Sequence, residues 1–484
     1  MTTSTLRESN TYLYQQVINL ITEMRVNGTL QAGQKLPSLR NLSNSLSVSI
    51  PTVKQAYIEL ERQGLVLAKP KSGYFLTQQN KSVQPKKARL PSKPIAVSRQ
   101  QLIEDVFKSI HQTQNLPLGV ANPVAVLPIT KTLNRTMRRV MSVMGDKALF
   151  YGPVAGYEPL RRQLAFSYME YALTLGPDDI IITNGAQEAL NIALQSVAKA
   201  GDVIAVESPC YFGILELIEN LGMLALEVPI CPEDGLTVQD LQKAINIHPV
   251  KACVFSSTIA NPMGCVLADD AKQQIVELLE KNDIPLIEDD VYGDLYFTEK
   301  RGTPAQKYSK KGLVITCSSF SKTAAPAYRI GWIATHKFSQ KCVQIKRAMS
   351  SSSSHMNQIT LFEFVRTGDY ERYLSQLRSV LLTNKSRMRN KLQQLLGDNA
   401  RISDPKGGAV LWLEFDKSIN SAEVFQLALQ QNISVSPGTL FSPSNRYQHC
   451  IRLSYGLPWD DRVEEGLNVF ASICLKAKHN TNNL

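Results

Sequence analysis

Two hydrophobic rhythms divide this chain. In the first 77 residues apolar positions recur at helical spacing. Leu13, Val17, Leu20, Ile21 and Met24 predict an amphipathic helix over residues 12–26. "NGTLQAGQKLPS" then reads as a loop marked by Gly28, Gly33 and Pro37. Ser38 is placed to cap a second short helix carrying Arg40, Leu42 and Leu46. Ser49 is placed to cap a third, with Pro51 tolerated in its first turn and Gly64 near its end. "LVLAKPKSGYFLT" predicts two short strands around a Pro-Lys-Ser-Gly turn. Three helices and a hairpin in this order predict a winged helix-turn-helix domain over residues 1–77.

From about residue 115 the rhythm changes. "DIIITNG", "DVIAVESP", "KACVFSST", "IPLIEDD" and "LVITCSS" are short apolar runs separated mostly by stretches of helical length. That alternation predicts an α/β body over 115–484 with a mainly parallel sheet. Such sheets place ligands at the carboxyl ends of their strands. Residues 78–100 contain three prolines and six Lys/Arg without an acid, a composition that buries no core. Residues 78–114 therefore read as a basic linker, an extended and mobile tether, and a lead-in containing a short helix within "QQLIEDVFKSIHQ". A serine run, "MSSSSSH", reads as a loop.

Charge sharpens the division. Residues 1–100 hold 14 basic and 4 acidic groups, a net +10, and the other 384 hold 39 and 38, a net +1. A basic front end on a nearly neutral body points to a polyanionic partner for the front end alone. Lys54 and Thr52 lie early on the third helix, and Lys69 and Lys71 lie in the expected wing. The eight cysteines form no C-x-x-C pair, which favours reduced, buried thiols in a cytosolic protein over disulfides or a metal site. The beginning "MTTSTLRESN" lacks the apolar stretch of a signal peptide, and no apolar run is long enough to span a membrane.

Candidate chemistry lies at the ends of the predicted strands. After "IIITN" come Gly185, Ala186 and Gln187, opening a helix whose free amides suit a phosphate. Tyr211 follows "IAVESP" and offers an aromatic face. Asn261 follows "VFSST" and offers a side-chain amide. Asp289 and Tyr292 follow "IPLIE", and a carboxylate there calls for a cation. "CSSFSKTAAPAYRIGW" brings Ser319, Ser321, Lys322 and Arg329. Each segment alone also reads as an ordinary turn, a packed ring or a solvated loop. Together they supply an amine, an anion, hydroxyl and amide donors, an aromatic plate and a phosphate cup. That set describes a pyridoxal 5′-phosphate (PLP) site, in which an anion facing the ring nitrogen makes the ring a stronger electron sink. Burial and nearby cations would keep the lysine reactive.

"LPSLRNLSNSLSVSIPTVKQAYIELERQGLVLAKPKSGYF" resembles the GntR-type winged helix, over about residues 10–77. The resemblance implies DNA contacts from Arg40, Ser49, Thr52, Lys54 and Gly73, to which the wing adds Lys71. Ile50 stands where that family carries an arginine, which leaves the operator sequence open. From about 115 to 475 the chain resembles fold-type I aminotransferases of class I, and "SSFSKTAAPAYRIGW" is similar to their lysine signature.

This second resemblance implies a Schiff base between Lys322 and PLP. It implies phosphate contacts from Ala186, Gln187, Ser319, Ser321 and Arg329. Asp289 would pair with the ring nitrogen, Asn261 and Tyr292 would contact its 3-oxygen, and Tyr211 would stack on it. Tyr151, in "YGPVAGYEPLR", matches a tyrosine lent to the neighbouring subunit's phosphate. Arg452 and Gly119 match the pair that grips a ligand carboxylate. Ala186 replaces a frequent serine and Met263 a frequent threonine; neither removes a group needed to hold the cofactor.

Winged helix, basic linker and aminotransferase-like body together resemble the MocR family of transcriptional regulators. The resemblance implies a cytoplasmic bacterial regulator, nucleoid-associated when bound to a double-stranded operator, and a head-to-tail homodimer. It implies that PLP or an amino-group effector biases DNA binding, with no metal involved. The alternative is a catalytically active aminotransferase that carries a DNA-binding domain.

Overall fold

The computed structural model describes residues 12–69, 72–77, 84–88, 100–444 and 446–481. Lys71 lies outside the described residues, as does most of the basic linker. Two compact units emerge, one drawn from the first 82 residues and Leu382–Leu395, the other from Val83–Leu381 and Leu396–Leu484.

The first unit has helices Leu13–Val26, Leu39–Leu46 and Ile50–Arg62, then strands Val66–Lys69 and Gly73–Leu76 paired antiparallel. Ser38 caps the second helix by accepting the Asn41 N–H at 3.2 Å, and Ser49 caps the third by accepting the Thr52 N–H at 3.2 Å. Val17, Ile18, Ile21, Val53, Tyr57 and Leu60 bury the shared core. Each such side chain stabilises the fold by roughly 1.5–3 kcal/mol. Tyr57 also donates its hydroxyl to Pro37 O at 2.8 Å, tying the third helix to the loop. Leu13, expected in the apolar face, stands 41 % exposed at the first position of its helix, and Ile18 takes a core place instead.

The body is built on an eight-stranded sheet. Its spatial order is Ile180–Thr183, Gly331–Ala334, Val314–Ser319, Leu286–Asp289, Val250–Phe255, Val203–Ser208, Leu224–Cys231 and Gly235–Leu236. The five from Val314–Ser319 to Leu224–Cys231 run parallel, and Gly331–Ala334 and Gly235–Leu236 run against their neighbours. Its strands are apolar and almost wholly buried, as a sheet covered on both faces requires. A separate four-stranded antiparallel sheet takes the order Ala400–Ile402, Val410–Phe415, Cys450–Ser454, Ser436–Pro437.

The lead-in helix, Gln100–His111, belongs to the body's fold. Ser109 Oγ lies 2.8 Å from Ser434 Oγ, and Val106 is buried. Part of the basic linker is likewise set against the body rather than forming a free tether. Pro85 is buried, Lys86 donates its N–H to Glu414, and the Lys87 ammonium pairs with Asp240. No described helix is long and apolar enough to cross a membrane. All eight cysteines are free thiols, and every one but Cys231 is buried.

Candidate functional site

The carboxyl ends of the sheet open into a cavity of about 230 Å³. Its lining brings together Gly119, Ala186, Gln187, Tyr211, Asn261, Asp289, Tyr292, Ser319, Ser321, Lys322, Arg329 and Arg452. Tyr151 is not among them and stands 95 % exposed elsewhere on the body.

Lys322 sits in the turn that follows strand Val314–Ser319, and its ammonium donates to Ala121 O at 2.6 Å. Burial, aided by Arg452 and Arg329 and opposed by Asp289, lowers its pKa to about 8. A useful fraction of neutral, nucleophilic amine therefore exists near neutral pH. Asp289 ends strand Leu286–Asp289 and accepts only a long bond, 3.3 Å from Val291 N. Burial pushes its carboxyl up to about 7; Asp290 and Glu288 add repulsion, while the Val291 N–H and Lys322 oppose the rise. Burial likewise lifts Glu207, which accepts the Ser256 N–H at 2.9 Å, to about 7.

The cup is shaped by backbone. Gly185 caps helix Ala186–Val197 with φ +82° and ψ 175°, a conformation that suits glycine. A Cβ there would lie 2.5 Å from Arg329 Nη2, so the missing side chain lets the guanidinium approach. Arg329 is itself left-handed, at φ +53°, and donates from Nη2 to Asn184 O at 3.0 Å. Ser319 Oγ accepts the Ser321 N–H at 3.3 Å. Gln187 donates to Gly213 O at 2.7 Å and so stands beside Tyr211.

Arg452, on strand Cys450–Ser454, is 4 % exposed. Its guanidinium donates to Gly119 O at 2.8 Å and to Asn261 Oδ1 at 3.3 Å, and lies 4.8 Å from the Phe441 ring centre. Three polar atoms of the lining are buried without a partner among the described residues: Tyr292 Oη, Ser321 Oγ and Arg452 Nε. Buried polar groups are normally satisfied, and here three unsatisfied ones converge on one cavity.

The donor set fits PLP. Lys322 offers an amine, Asp289 an anion for a protonated ring nitrogen, Tyr292 a hydroxyl, and Arg329 with Ser321 and the start of helix Ala186–Val197 a phosphate seat. Sequence reasoning missed Ala121, Val106 and Ser436, which also line the cavity. A backbone carbonyl and an apolar helix position leave no chemical signature in sequence.

In the first unit, Arg40, Ser49 and Lys54 are exposed and Thr52 is half-buried at the start of helix Ile50–Arg62. Ile50 is 42 % exposed beside them. Gly73 opens the second wing strand at φ +103°, and the Lys69 ammonium lies 4.6 Å from the Phe75 ring centre.

A winged helix-turn-helix joined to an α/β body of aminotransferase architecture defines a class of DNA-binding regulator. The chain belongs to the aminotransferase class I and II family, matched over residues 117–469, and its front end matches bacterial regulatory proteins of the gntR family over residues 13–76. That is the MocR-type combination. It is 32 % identical to the HTH-type transcriptional regulator YjiR of Escherichia coli K12, over 96 % of this chain and 99 % of that one. It is 28 % identical to the HTH-type transcriptional regulator NorG of Staphylococcus aureus USA300, over 90 % of this chain and 98 % of that one. In fold it is similar to the multiple substrate aminotransferase of Thermococcus profundus, with a TM-score of 0.73 and 22 % identity over 79 % of this chain and 96 % of that one. It is also similar to LysN, an alpha-aminoadipate aminotransferase of Thermus thermophilus, with a TM-score of 0.72 and 24 % identity over 78 % and 95 %.

Proposed function

We propose that the protein is a cytoplasmic transcriptional regulator that binds PLP at Lys322 and senses PLP or an amino-group effector. The observation that carries this reading is the pairing, in one cavity, of a half-buried amine with a lowered pKa and a buried carboxylate with a raised one. Perturbed values of this kind cluster at functional sites.

When bound, PLP would supply an electrophilic aldehyde for an amine and a ring that takes up electrons. The chain's own groups then have distinct tasks. Lys322 presents the amine, and Ala121 O holds it until it is used. Asp289 stabilises a proton on the ring nitrogen. Tyr292 and Asn261 orient the 3-oxygen, and Tyr211 covers the ring. Ala186, Gln187, Ser319, Ser321 and Arg329 hold the phosphate. Arg452, with Gly119 beside it, receives an effector carboxylate. The exposure of Tyr151 suits a residue that serves a second copy's phosphate in a homodimer. Arg40, Ser49, Thr52, Lys54, Lys71 and Gly73 contact DNA.

Regulation requires that the effector bind two arrangements of the protein with different affinity. An absorbance and DNA-shift titration with PLP and a panel of amino acids, amines and vitamin B6 forms tests the proposal. A visible absorbance band that appears with PLP and is lost in Lys322→Ala is expected of a covalent bond between the lysine and PLP. A DNA shift altered by PLP or by an amine is expected of the sensor. A retained band in the variant sinks the lysine assignment, and a shift indifferent to every ligand sinks the sensing. The enzyme alternative keeps one supporting observation, since Lys322 and Arg452 both line the cavity. Multiple-turnover amino transfer to a keto acid would decide for it.

A further inference from the structure

The serine run and the lysine before it play no part in the site described above. Lys346, on helix Ser339–Met349, is completely buried. Its ammonium lies 3.3 Å from Glu188 Oε2, and it donates to Ser353 Oγ at 3.1 Å and Ser350 Oγ at 3.3 Å. Glu188 occupies the first turn of helix Ala186–Val197, two residues beyond cavity-lining Ala186. Its carboxylate accepts the Asn184 N–H, and Asn184 Nδ2 at 3.2 Å. Asn184 O in turn receives Arg329. Packing leaves this turn little freedom, because a Cβ on Gly331 would come within 2.6 Å of Gly185 C.

A carboxylate at this place has two opposed effects. It favours the helix start, whose amides carry partial positive charge. It also repels any other anion drawn to the same amides, and the low dielectric of the interior strengthens that repulsion. A phosphate dianion seated there would meet it directly. A buried lysine is costly unless paired, and this one faces Glu188 and two hydroxyls. Burial works against the Glu188 carboxylate, yet hydrogen bonds from Ser350 and Asn184 and the Lys346 ammonium hold it below its ordinary range. The acid is therefore charged; burial lowers the Lys346 pKa while Glu188 opposes that fall, and the 3.3 Å contact keeps the ammonium against the carboxylate.

We propose that Lys346 is a positioning residue that cancels the Glu188 charge beneath the start of helix Ala186–Val197, leaving that start able to seat a phosphate dianion. Ser350 and Ser353 hold the ammonium in place, which assigns a purpose to the serine run. The inference rests on the PLP reading and deepens it.

The test compares the affinity of the full-length protein for PLP with that for pyridoxal, which lacks the phosphate, by absorbance titration. Lys346→Met, isosteric and uncharged, should lower the PLP-to-pyridoxal affinity ratio at least about tenfold. Glu188→Gln, which leaves the Lys346 ammonium unopposed beneath the helix start, should raise the ratio at least about threefold. Lys346→Met/Glu188→Gln, which buries no charge, should return it to within about threefold of the wild type. A purely structural ion pair would weaken both ligands alike in every variant and leave the ratio constant, which overturns the proposal. If Lys346→Met does not fold, Glu188→Gln still decides, because a ratio that stays constant or falls in it contradicts charge cancellation. A wild type that binds neither ligand removes the PLP reading itself; a wild type that binds both, with a constant ratio among variants, removes only the role of Lys346.

Discussion

Asp289 shows at the scale of one residue how function is set against stability. Its folded pKa, about 7, lies well above the roughly 3.9 of an unfolded aspartate. Between those values the folded chain holds a proton that the unfolded chain releases. The stability from this group is therefore complete below about pH 4 and is lost as pH rises through about 7. Asparagine has the same shape and no charge to bury. Asp289→Asn should thus stabilise the PLP-free protein at pH 8 by about 2 kcal/mol or more, since one unit of pKa shift is worth about 1.4 kcal/mol. The gain should fade toward pH 4, while PLP binding weakens. Urea unfolding at the two pH values checks this, and an equal or lower stability of the variant at pH 8 contradicts it. Asp289 was legible as a carboxylate at the end of an apolar strand. The carbonyl of Ala121 that holds Lys322 was not, because 201 positions separate the two residues and any residue type supplies a carbonyl.

At the scale of elements, the helix starts and strand ends carry the site. Ser38 and Ser49 cap their helices as serine side chains before an apolar-periodic run should, and both were legible. Gly185 was legible as a turn, but its reason lay elsewhere. Its φ of +82° and the approach of Arg329 leave no room for a side chain. Gly185→Ala should cost about 1–3 kcal/mol of stability through the strained backbone. It should also weaken PLP more than pyridoxal, because the displaced guanidinium is the one proposed to hold the phosphate. Thermal melts and paired titrations measure the two effects, and an unchanged melting temperature and unchanged PLP affinity contradict the account. The second and third helices and the two wing strands matched their patterns, while Pro70 and Lys71 of the turn between the strands lie outside the described residues. The buried stripe of the first helix ran through Ile18 and left Leu13 exposed at its first position.

At the scale of the whole molecule, charge and chemistry are segregated. The net +10 of the first 100 residues accompanies the winged helix, and the cavity that holds Lys322 lies in a body of net +1. The two tasks should separate under mutation. Lys54 is exposed near the start of helix Ile50–Arg62. Lys54→Ala should weaken DNA binding and lower the slope of log affinity against log salt by about one. PLP absorbance should not change. A slope equal to that of the wild type, measured across a salt series, would remove Lys54 from the DNA contact. The linker was only partly legible: its composition indicated an extended segment, yet Lys86 and Lys87 find acids on the body through contacts that composition does not encode.

By itself the sequence determined the order of elements, the division into a winged helix and an α/β body, and the residue types at the strand ends. Periodicity and capping are local, and local rules suffice for them. Only the tertiary structure decided which groups share a cavity, that burial moves the pKa values of Lys322 and Asp289 toward each other, and that Lys346 faces Glu188 across 158 residues of chain. Desolvation and the distance between charges depend on how the whole chain is packed, and no stretch of sequence carries that information alone.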